Sequence, residues 1–392
     1  MSVLLKIEAN KAELVAIFED LHAHPELGFE EFRTAGIVAR HLRDWGIDEV
    51  HEGIGGTGVV GLVRGRGRGN RRIGLRADMD ALPIEEKTGL PYASTHSGKM
   101  HACGHDSHTT MLLGTAKYLA ETRDFDGIAV LIFQPAEEGL GGARKMLAEG
   151  LFERFPCEEV YGMHNAPNGQ PGTLGIAPGP AMSGAAFFDI TVRGKGSHGA
   201  MPQDSRDPVM IATALVSQLQ TVVSRNVAPL DSCVLSVTMI NGGSAYNVIP
   251  DTVTLAGTLR YFRDDVCELA QTRARQICAG FALAHDVTIE VEFRNIFNVL
   301  NNDLELSNAY MDAAADIVGE ANIARDKEPA TGSEDFADML RVIPGAYCTI
   351  GHGGTVPVHN PEFIIDPGVL PVGASVMARL VERRLPLEGE AA

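Results

Sequence analysis

The apolar run Ile128-Ala-Val-Leu-Ile-Phe133 leads directly into the polar stretch Gln134-Pro-Ala-Glu-Glu138. Unbroken apolar runs of this length, bounded by turn residues, predict strands that are buried on both faces of a sheet. Two later runs, Val160-Tyr-Gly-Met163 and Ala346-Tyr-Cys-Thr-Ile350, have the same character. Helical patterns alternate with these runs, at residues 111–120 and 143–149. The alternation predicts an α/β fold built around a central sheet.

Side chains that can bind metal follow the predicted strands. Asp78 and Asp80 follow one strand, Glu137 and Glu138 follow the run at 128–133, and His164 follows a third. Sites in open α/β sheets gather at the carboxyl ends of the strands, so these side chains are candidates for one site. For the two aspartates, ordinary turn residues at the end of a strand are the alternative interpretation.

The segment His101-Ala-Cys-Gly-His-Asp-Ser-His108 holds one cysteine and three of the chain's 13 histidines. Imidazole and thiolate groups are ligands for zinc and similar ions. The Glu137–Glu138 pair adds one carboxylate that can bind metal and one that is free to act as a base. A single cysteine or histidine is more often a packing or surface residue, but this combination indicates metal-assisted hydrolysis.

The composition is that of a globular enzyme, with 392 residues, of which 45% are hydrophobic and 21% charged. Length alone favours two domains over one. The 51 acidic and 33 basic residues give a net charge of −18, which opposes binding to nucleic acids and to anionic membranes. The arginine-rich stretch at residues 64–72 contains no aromatic residue and is interpreted as a solvated turn. We therefore expect a small-molecule substrate.

The sequence also indicates a cellular compartment. No run of 18 apolar residues occurs, and the first eleven residues lack the hydrophobic region of a signal peptide. The six cysteines are scattered without close pairs, which is typical of thiols in a reducing compartment. We expect a cytoplasmic protein whose cysteines are reduced.

The middle of the chain has a different order of predicted elements. Strand, helix, two strands, helix and strand follow one another, at residues 187–192, 208–223, 233–240, 253–260, 265–284 and 287–293. This is the order of a ferredoxin-like α+β domain. The stretch at 177–184 before it resembles a linker, and helical patterning resumes at 304–318. We therefore predict one domain from residues 1–182 and 298–392, with residues 183–297 inserted into it.

Two local predictions concern the first hundred residues. The spacing of apolar residues predicts one amphipathic helix over residues 4–22, which a proline then ends. His22 and His24 at its end are interpreted as favourable to the helix dipole rather than as ligands. The runs at 58–63 and 73–75 flank a glycine-rich stretch and predict a β-hairpin.

Six motifs carry a resemblance to a known family. They are Arg76-Ala-Asp-Met-Asp-Ala-Leu-Pro83, Met100-His-Ala-Cys-Gly-His-Asp-Ser-His108, Pro135-Ala-Glu-Glu-Gly139, Gly196-Ser-His-Gly199, Asn247-Val-Ile-Pro-Asp251 and Gly332-Ser-Glu-Asp-Phe336. Each is weak alone, but in this order they are specific. The chain resembles the M20 metallopeptidase family, in its amidohydrolase branch of hippurate hydrolases, N-acyl-amino-acid amidohydrolases and auxin-conjugate hydrolases.

The resemblance implies a zinc-peptidase-like α/β/α catalytic domain with an inserted ferredoxin-like α+β domain that acts as a lid and in dimerisation. It implies two divalent metal ions (zinc, manganese, nickel or cobalt) whose ligands are Cys103, His105, Glu138, His164 and His359. His164 and His359 are expected in loops. More typical relatives carry a metal-binding histidine where this chain has Asp78, so the Cys103 thiolate is expected to substitute as a ligand. Asp80 is expected to support the ligands without binding metal itself. His101 and His108 are expected to be supporting residues.

The resemblance also assigns catalytic roles. Glu137 is the implied general base, and successive residues leaving a strand point in opposite directions, which suits different roles for Glu137 and Glu138. His198 is implied to stabilise the oxyanion, while Asn247 and Arg260 are candidates to hold a substrate carboxylate. A surface strand residue is the alternative interpretation of Arg260.

The implied reaction is hydrolysis of the amide bond of an N-acyl amino acid to a carboxylic acid and an amino acid. Deacetylation of N-acetyl-diaminopimelate or hydrolysis of small peptides is the alternative within the family. A thiol hydrolase with Cys103 as nucleophile and a noncatalytic metal-binding protein are the alternatives of another class. The resemblance further implies a homodimer or higher homo-oligomer.

Overall fold

The computed structural model describes residues 3–387, and its internal contacts divide the chain into two units. The first unit contains the chain up to Ala181, then Asn301–Glu328, and then the chain from Asp335 onward. The second unit contains Met182–Leu300 and Pro329–Glu334.

Helices and strands alternate along much of the chain between residues 3 and 387. The helices are α1 (Val3–Glu8), α2 (Lys11–Ala23), α3 (Phe32–Asp44), α4 (His105–Thr122), α5 (Gly142–Ala148), α6 (Leu151–Arg154), α7 (Pro208–Arg225), α8 (Asp264–His285), α9 (Leu304–Val318), α10 (Phe336–Leu340) and α11 (Leu370–Arg384). The strands are β1 (Glu49–Ile54), β2 (Gly58–Arg64), β3 (Arg72–Asp78), β4 (Ile128–Gln134), β5 (Glu159–Ala166), β6 (Leu174–Gly175), β7 (Gly179–Met182), β8 (Gly184–Arg193), β9 (Ser197–His198), β10 (Cys233–Gly242), β11 (Val248–Ile249), β12 (Thr252–Tyr261), β13 (Thr288–Phe297), β14 (Leu300–Asn302), β15 (Ile323–Ala324) and β16 (Gly345–Gly351).

The first unit is built on an eight-stranded mixed sheet with the order β1-β2-β4-β3-β5-β16-β6-β15. The strands β4, β3, β5 and β16 run parallel to one another, and all seven residues of β4 are buried. The three apolar runs of the sequence are therefore the central strands of this sheet. The α/β prediction is confirmed.

The predicted hairpin between residues 58–63 and 73–75 is wrong. β4 lies between β2 and β3, pairing antiparallel with β2 and parallel with β3. If β2 and β3 paired directly, β4, the most apolar strand, would have a neighbouring strand on one side only. In the observed order, β4 is paired on both sides. The glycine-rich stretch is thus a connection that passes an intervening strand.

The single helix predicted over residues 4–22 is two helices, α1 and α2, which are separated by Ala9 and Asn10. The Asn10 side chain donates to the carbonyl of Lys6 at 3.4 Å, so it satisfies a backbone group at the end of α1. Ile7 and Leu14 are both buried, which explains why the apolar spacing continues across the break.

The second unit has the order strand, helix, two strands, helix and strand along β8, α7, β10, β12, α8 and β13. Its antiparallel sheet has the order β10-β12-β8-β13, as in ferredoxin-like folds. Phe188 on β8 is buried in a cluster with Leu215 of α7 and Ala270 of α8. The neighbouring Phe187 points away from the cluster and is 41% exposed. The predicted inserted α+β fold is confirmed, although part of the expected linker at 177–184 forms strand β7.

Within residues 3–387, every helix is too short or too polar to cross a membrane.

Candidate metal centre

The predicted metal-binding residues lie where the parallel strands of the first unit end. Asp78 is the last residue of β3, and Glu137 lies three residues beyond the end of β4. His164 belongs to β5 itself, so its expected placement in a loop is wrong, because the strand extends beyond its apolar run. His359 lies in a turn after β16.

The beginning of α4 positions Cys103 and His105. His105 is the first residue of the helix, and Gly104 before it has a φ of +89°, a conformation that favours glycine. A Cβ atom at Gly104 would lie 2.4 Å from the Asn165 side-chain nitrogen. Glycine is therefore required both by the backbone conformation and by the close packing between the two candidate ligands.

The structure brings the five predicted ligands and Glu137 into one cluster. Their ligand atoms form overlapping groups of three, within each of which all atoms lie within 4.8 Å of one another. These groups are Cys103 with His105 and His164, Cys103 with Glu138 and His359, and His105 with Glu137 and Glu138. The Cys103 sulfur lies 3.4 Å from His164 Nε2, and His359 Nε2 lies 3.1 Å from Glu138 Oε1.

The residues of this cluster fit divalent metal ions. His105 Nε2 is buried and has no hydrogen-bond partner among the described residues. A buried polar atom without a partner is rare and costly, and a cation beside this nitrogen would satisfy it. A thiolate, three imidazoles and a carboxylate form a donor set that suits zinc and related ions.

Asp80 connects two of the candidate ligands. Its Oδ1 lies 3.1 Å from His105 Nδ1, so the other nitrogen of that ring is the one that faces the cluster. Its Oδ2 accepts a hydrogen bond from the backbone N–H of Glu138 at 3.0 Å. A carboxylate that orients a histidine ligand in this way is common in metal sites.

Asp78 is engaged by other side chains. The Arg76 guanidinium donates to Asp78 Oδ2 at 2.7 Å, and His108 Nδ1 lies 2.6 Å from Asp78 Oδ1. Burial alone would raise the pKa of Asp78, but His105 and Arg76 hold it well below its usual range. Asp78 is therefore a charged group at 3.8 Å from His105 Nε2.

Burial strongly shifts the pKa values of two candidate ligands, Cys103 and His164. Burial raises the pKa of the Cys103 thiol to about 12, and burial lowers the pKa of His164 to about 4. His164 is thus neutral, the form that binds metal, while Cys103 needs a nearby cation to lose its proton. Its protonated, buried thiol does not suit the role of a free nucleophile.

Glu137 is buried, and its Oε1 accepts a hydrogen bond from the backbone N–H of Asp335 at 3.3 Å. The Asp335 carboxylate is in turn held by Gln134 Nε2 at 2.7 Å and by the Arg76 guanidinium at 3.2 Å. Sequence reasoning missed this role of Asp335. The motif Gly332-Ser-Glu-Asp-Phe336 was the available signal, but nothing in it indicates a contact 198 residues away.

Asn165 is a second residue that sequence reasoning missed. Its side-chain amide donates to the Cys103 carbonyl at 2.5 Å, and its backbone N–H donates to His108 Nε2 at 3.0 Å. It therefore ties the strand that carries His164 to the segment that carries Cys103. The buried His101 makes no such tie, because neither of its ring nitrogens has a hydrogen-bond partner among residues 3–387.

The other three predicted site residues lie in the second unit, whereas the metal-binding cluster lies in the first. β9 pairs with β11, which places His198 opposite Val248, and the Gly199 N–H donates to the Asn247 carbonyl at 2.7 Å. The Ala200 N–H donates to His198 Nδ1 at 3.1 Å, so the ring proton belongs on Nε2. Arg260 is half-buried and donates to the Ser333 hydroxyl at 2.6 Å.

Comparisons with known proteins identify related sequences and structures. Residues 74–383 match a sequence model of peptidase family M20/M25/M40. A hippurate hydrolase of Campylobacter jejuni is 39% identical over 385 residues, covering 98% of this chain and 100% of that protein. An N-acetyl-L-cysteine deacetylase of Bacillus subtilis is 42% identical over 356 residues, covering 90% of this chain and 84% of that protein. The crystal structure of the Bacillus subtilis YXEP protein, a dinuclear metal-binding peptidase of the M20 family, superposes with a TM-score of 0.85 at 35% identity, covering 96% of this chain and 99% of that chain.

Proposed function

Because this chain belongs to peptidase family M20/M25/M40, we propose that it is a metal-dependent amidohydrolase that cleaves N-acyl amino acids to a carboxylic acid and an amino acid. The observation that carries this function is the cluster in which the buried, unpartnered His105 Nε2 lies beside Glu137. The similar hippurate hydrolase and N-acetyl-L-cysteine deacetylase both act on an amide bond between an acyl group and an amino acid.

In this proposal the five candidate ligands hold two divalent ions, and Glu137 transfers protons. The bound ions polarise the scissile carbonyl and lower the pKa of the attacking water. Glu137 accepts the proton of that water and returns it to the leaving nitrogen. The backbone N–H of Asp335 holds one Glu137 oxygen, which fixes this carboxylate beside the candidate ligands.

The roles of His198, Asn247 and Arg260 are part of the same proposal. A proton on His198 Nε2 makes this ring a donor to the oxygen of the scissile carbonyl, whose negative charge grows during the reaction. Asn247 and Arg260 hold the carboxylate of the amino-acid half. The half-buried position of Arg260 supports this role, since a guanidinium binds a carboxylate more strongly when both are partly desolvated.

Three further properties are proposed for the whole protein. The ions are zinc, manganese, nickel or cobalt, since each accepts this donor set. The protein is a homodimer or higher homo-oligomer, which is supported by the edge strand β10 with Met239 and Ile240 more than half exposed. Its location is cytoplasmic, which is supported by six cysteines that are all free thiols.

A substrate screen tests this function. The purified protein is stripped of metal, reconstituted with each ion in turn, and assayed with benzoyl, acetyl, longer acyl and indole-acetyl amino acids. We expect hydrolysis that requires metal and a free carboxylate on the amino acid. Full activity in the stripped protein, with loss of activity on alkylation of Cys103, would instead establish a thiol hydrolase.

A further inference from the structure

We propose that Glu31 is a positioning residue that fixes the turn carrying the general base Glu137, and this proposal rests on the function proposed above. Glu31 lies in the segment before α3, more than one hundred residues from Glu137 in sequence. Its carboxylate binds Thr57 and the backbone of Ala136 rather than Glu137 itself, so it acts on the base through the main chain.

The Glu31 carboxylate is completely buried and accepts two hydrogen bonds. Its Oε1 accepts from the backbone N–H of Ala136 at 2.8 Å, and its Oε2 accepts from the Thr57 hydroxyl at 2.5 Å. Burial raises the pKa of the Glu31 carboxyl. Burial of a carboxyl group is unfavourable, so the buried position of Glu31 indicates that its hydrogen bonds are needed there.

Ala136 is the residue that needs to be held. Its φ is +55°, in the left-handed region that residues with a Cβ rarely adopt. Ala136 directly precedes Glu137, so its backbone angles set the direction in which the Glu137 side chain leaves the chain. The hydrogen bond that the Ala136 N–H donates to Glu31 stabilises this unfavourable conformation.

The segment that carries Glu31 packs directly against the Glu137 turn. A Cβ atom at Gly28 would lie 2.7 Å from Leu140 Cδ1 and 3.1 Å from the Cα of Ala136. Glycine at 28 therefore allows the two segments to approach closely enough for the Glu31 hydrogen bond. The segment that carries Glu31 and the turn that carries Glu137 are thus both shaped for this close contact.

The neighbouring ligand Glu138 has a separate anchor. Its backbone N–H donates to Asp80 Oδ2 at 3.0 Å, independently of Glu31. Loss of Glu31 is therefore expected to misplace the base while the ligands still bind metal. This separates the proposed role from a general role in building the metal site.

The first test compares Glu31→Ala with Glu30→Ala. Glu30 is the matched control, because it is the adjacent glutamate and its side chain is 62% exposed, with Lys99 at 3.2 Å as its ion-pair partner. We expect Glu31→Ala to bind both ions, to keep KM within about threefold, and to lose about 10- to 100-fold in kcat, as misplaced catalytic groups do. Glu30→Ala is expected to match the wild type in all three measurements.

Two rescue variants test the physical cause. Glu31→Gln retains an oxygen for the Ala136 N–H and an amide that donates to the Thr57 hydroxyl, so we expect kcat close to that of the wild type. Glycine adopts a positive φ without strain, so adding Ala136→Gly to Glu31→Ala is expected to restore part of the lost kcat. If Glu31 affected folding alone, the loss of kcat in Glu31→Ala would be the same with alanine or with glycine at position 136.

The outcomes are distinguishable from a failure of the proposed function. Wild type and Glu137→Gln are assayed in parallel, and an inactive wild type or an active Glu137→Gln would refute that function itself. If both behave as expected, then Glu31→Ala with unchanged kcat, or with lost metal, overturns the role of Glu31. Should Glu31→Ala be recovered only unfolded, Glu31→Asp is measured instead, since its shorter side chain withdraws from Ala136, and wild-type kcat in that variant contradicts the proposal.

Discussion

Cys103 has a special position among the candidate ligands. It is the thiol shared by two of the overlapping groups, one with His105 and His164 and the other with Glu138 and His359. His105 lies two residues from it, while Glu138, His164 and His359 come from other segments of the chain. Its removal therefore affects both halves of the proposed metal centre.

We predict that Cys103→Ala loses at least one of the two ions. Substitution of residues that merely support a ligand costs about 10- to 100-fold in metal affinity or activity, and loss of a ligand costs at least as much. Elemental analysis after dialysis measures the metal content, and turnover is measured on the same sample. Cys157→Ala is the control, because its thiol donates to the Phe155 carbonyl at 3.5 Å rather than facing a candidate ligand. Two retained ions in Cys103→Ala would remove Cys103 from the ligand set.

His22 was expected only to favour a helix dipole, but it is buried between two carboxylates. Its Nδ1 lies 2.6 Å from Asp106 Oδ2, and its Nε2 lies 3.3 Å from Glu86 Oε1. Burial alone would lower its pKa, yet the hydrogen bonds to Asp106 and Glu86 raise it from 6.5 to about 10. The folded protein therefore holds His22 in its charged form.

This raised pKa predicts a pH dependence of stability. The stabilisation from charged His22 is complete below its unfolded pKa of 6.5 and is lost as the pH rises through about 10. We expect His22→Gln to lower the free energy of unfolding of the metal-free protein more at about pH 6 than at about pH 10. Denaturant titrations at both pH values measure the difference, with His24→Gln as the control. An equal loss at both values would contradict a charged His22.

At the scale of elements, apolar periodicity predicts which segments are strands and helices but not which strands are neighbours. β4 and β16 match their apolar runs, β5 extends three residues beyond its run, and α9 spans the predicted residues 304–318. The hairpin prediction failed because β2 and β3 are close in sequence, while the strand between them comes later in the chain. Which strands pair depends on the arrangement that buries β4, the most apolar of them, and local sequence does not contain that information.

Arg76 joins three elements at the end of the sheet. It is fully buried and contacts Asp78 at the end of β3, Gln134 at the end of β4, and Asp335 at the start of α10. We predict that Arg76→Met lowers the free energy of unfolding by about 3–5 kcal/mol, because two buried carboxylates lose their cation.

Denaturant unfolding of the metal-free protein measures this effect. Arg66→Met is the control, because Arg66 and its ion-pair partner Asp124, at 3.0 Å, are both exposed. Exposed ion pairs contribute about 0–1 kcal/mol, so the control is expected to unfold nearly like the wild type. Equal effects of the two substitutions would show that the Arg76 network does not stabilise the fold.

At the scale of the whole molecule, the predicted site residues are divided between the two units. The first unit holds the candidate ligands and Glu137, and the second holds His198, Asn247 and Arg260. Metal binding is therefore expected to stabilise the first unit specifically. The second unit has its own apolar core between its sheet and the helices α7 and α8.

We predict that chelation lowers the thermal unfolding temperature of the first unit by about 5–10 °C. An ion present at 100 times its dissociation constant contributes about 2.7 kcal/mol, and a unit of this size shifts by about 2–4 °C per kcal/mol. Differential scanning calorimetry with and without a chelator measures the shift, and added metal is expected to reverse it. An unchanged unfolding temperature would indicate that the chain binds no structural or catalytic ion.

The site was predictable from the sequence to the extent that short motifs contain it. Cys103 and His105 lie in one motif and Glu137 and Glu138 in another, so their types and spacing point to metal chemistry. Glu31 lies in none of the six motifs, and the motif that contains Asp335 does not indicate what this residue contacts. Glu31 accepts a hydrogen bond from the backbone N–H of Ala136, and Asp335 donates its own backbone N–H to Glu137. Such contacts between distant segments exist only once the chain has folded.

The most direct test of the proposed function is the metal content and turnover of Glu137→Gln. The substitution keeps the size of the side chain and the five candidate ligands, but it removes the group that accepts the proton. We expect two bound ions, as in the wild type, with kcat on N-acyl amino acids lower by about 10²- to 10⁴-fold. Undiminished hydrolysis by the metal-loaded variant would contradict the assignment of Glu137 as the base.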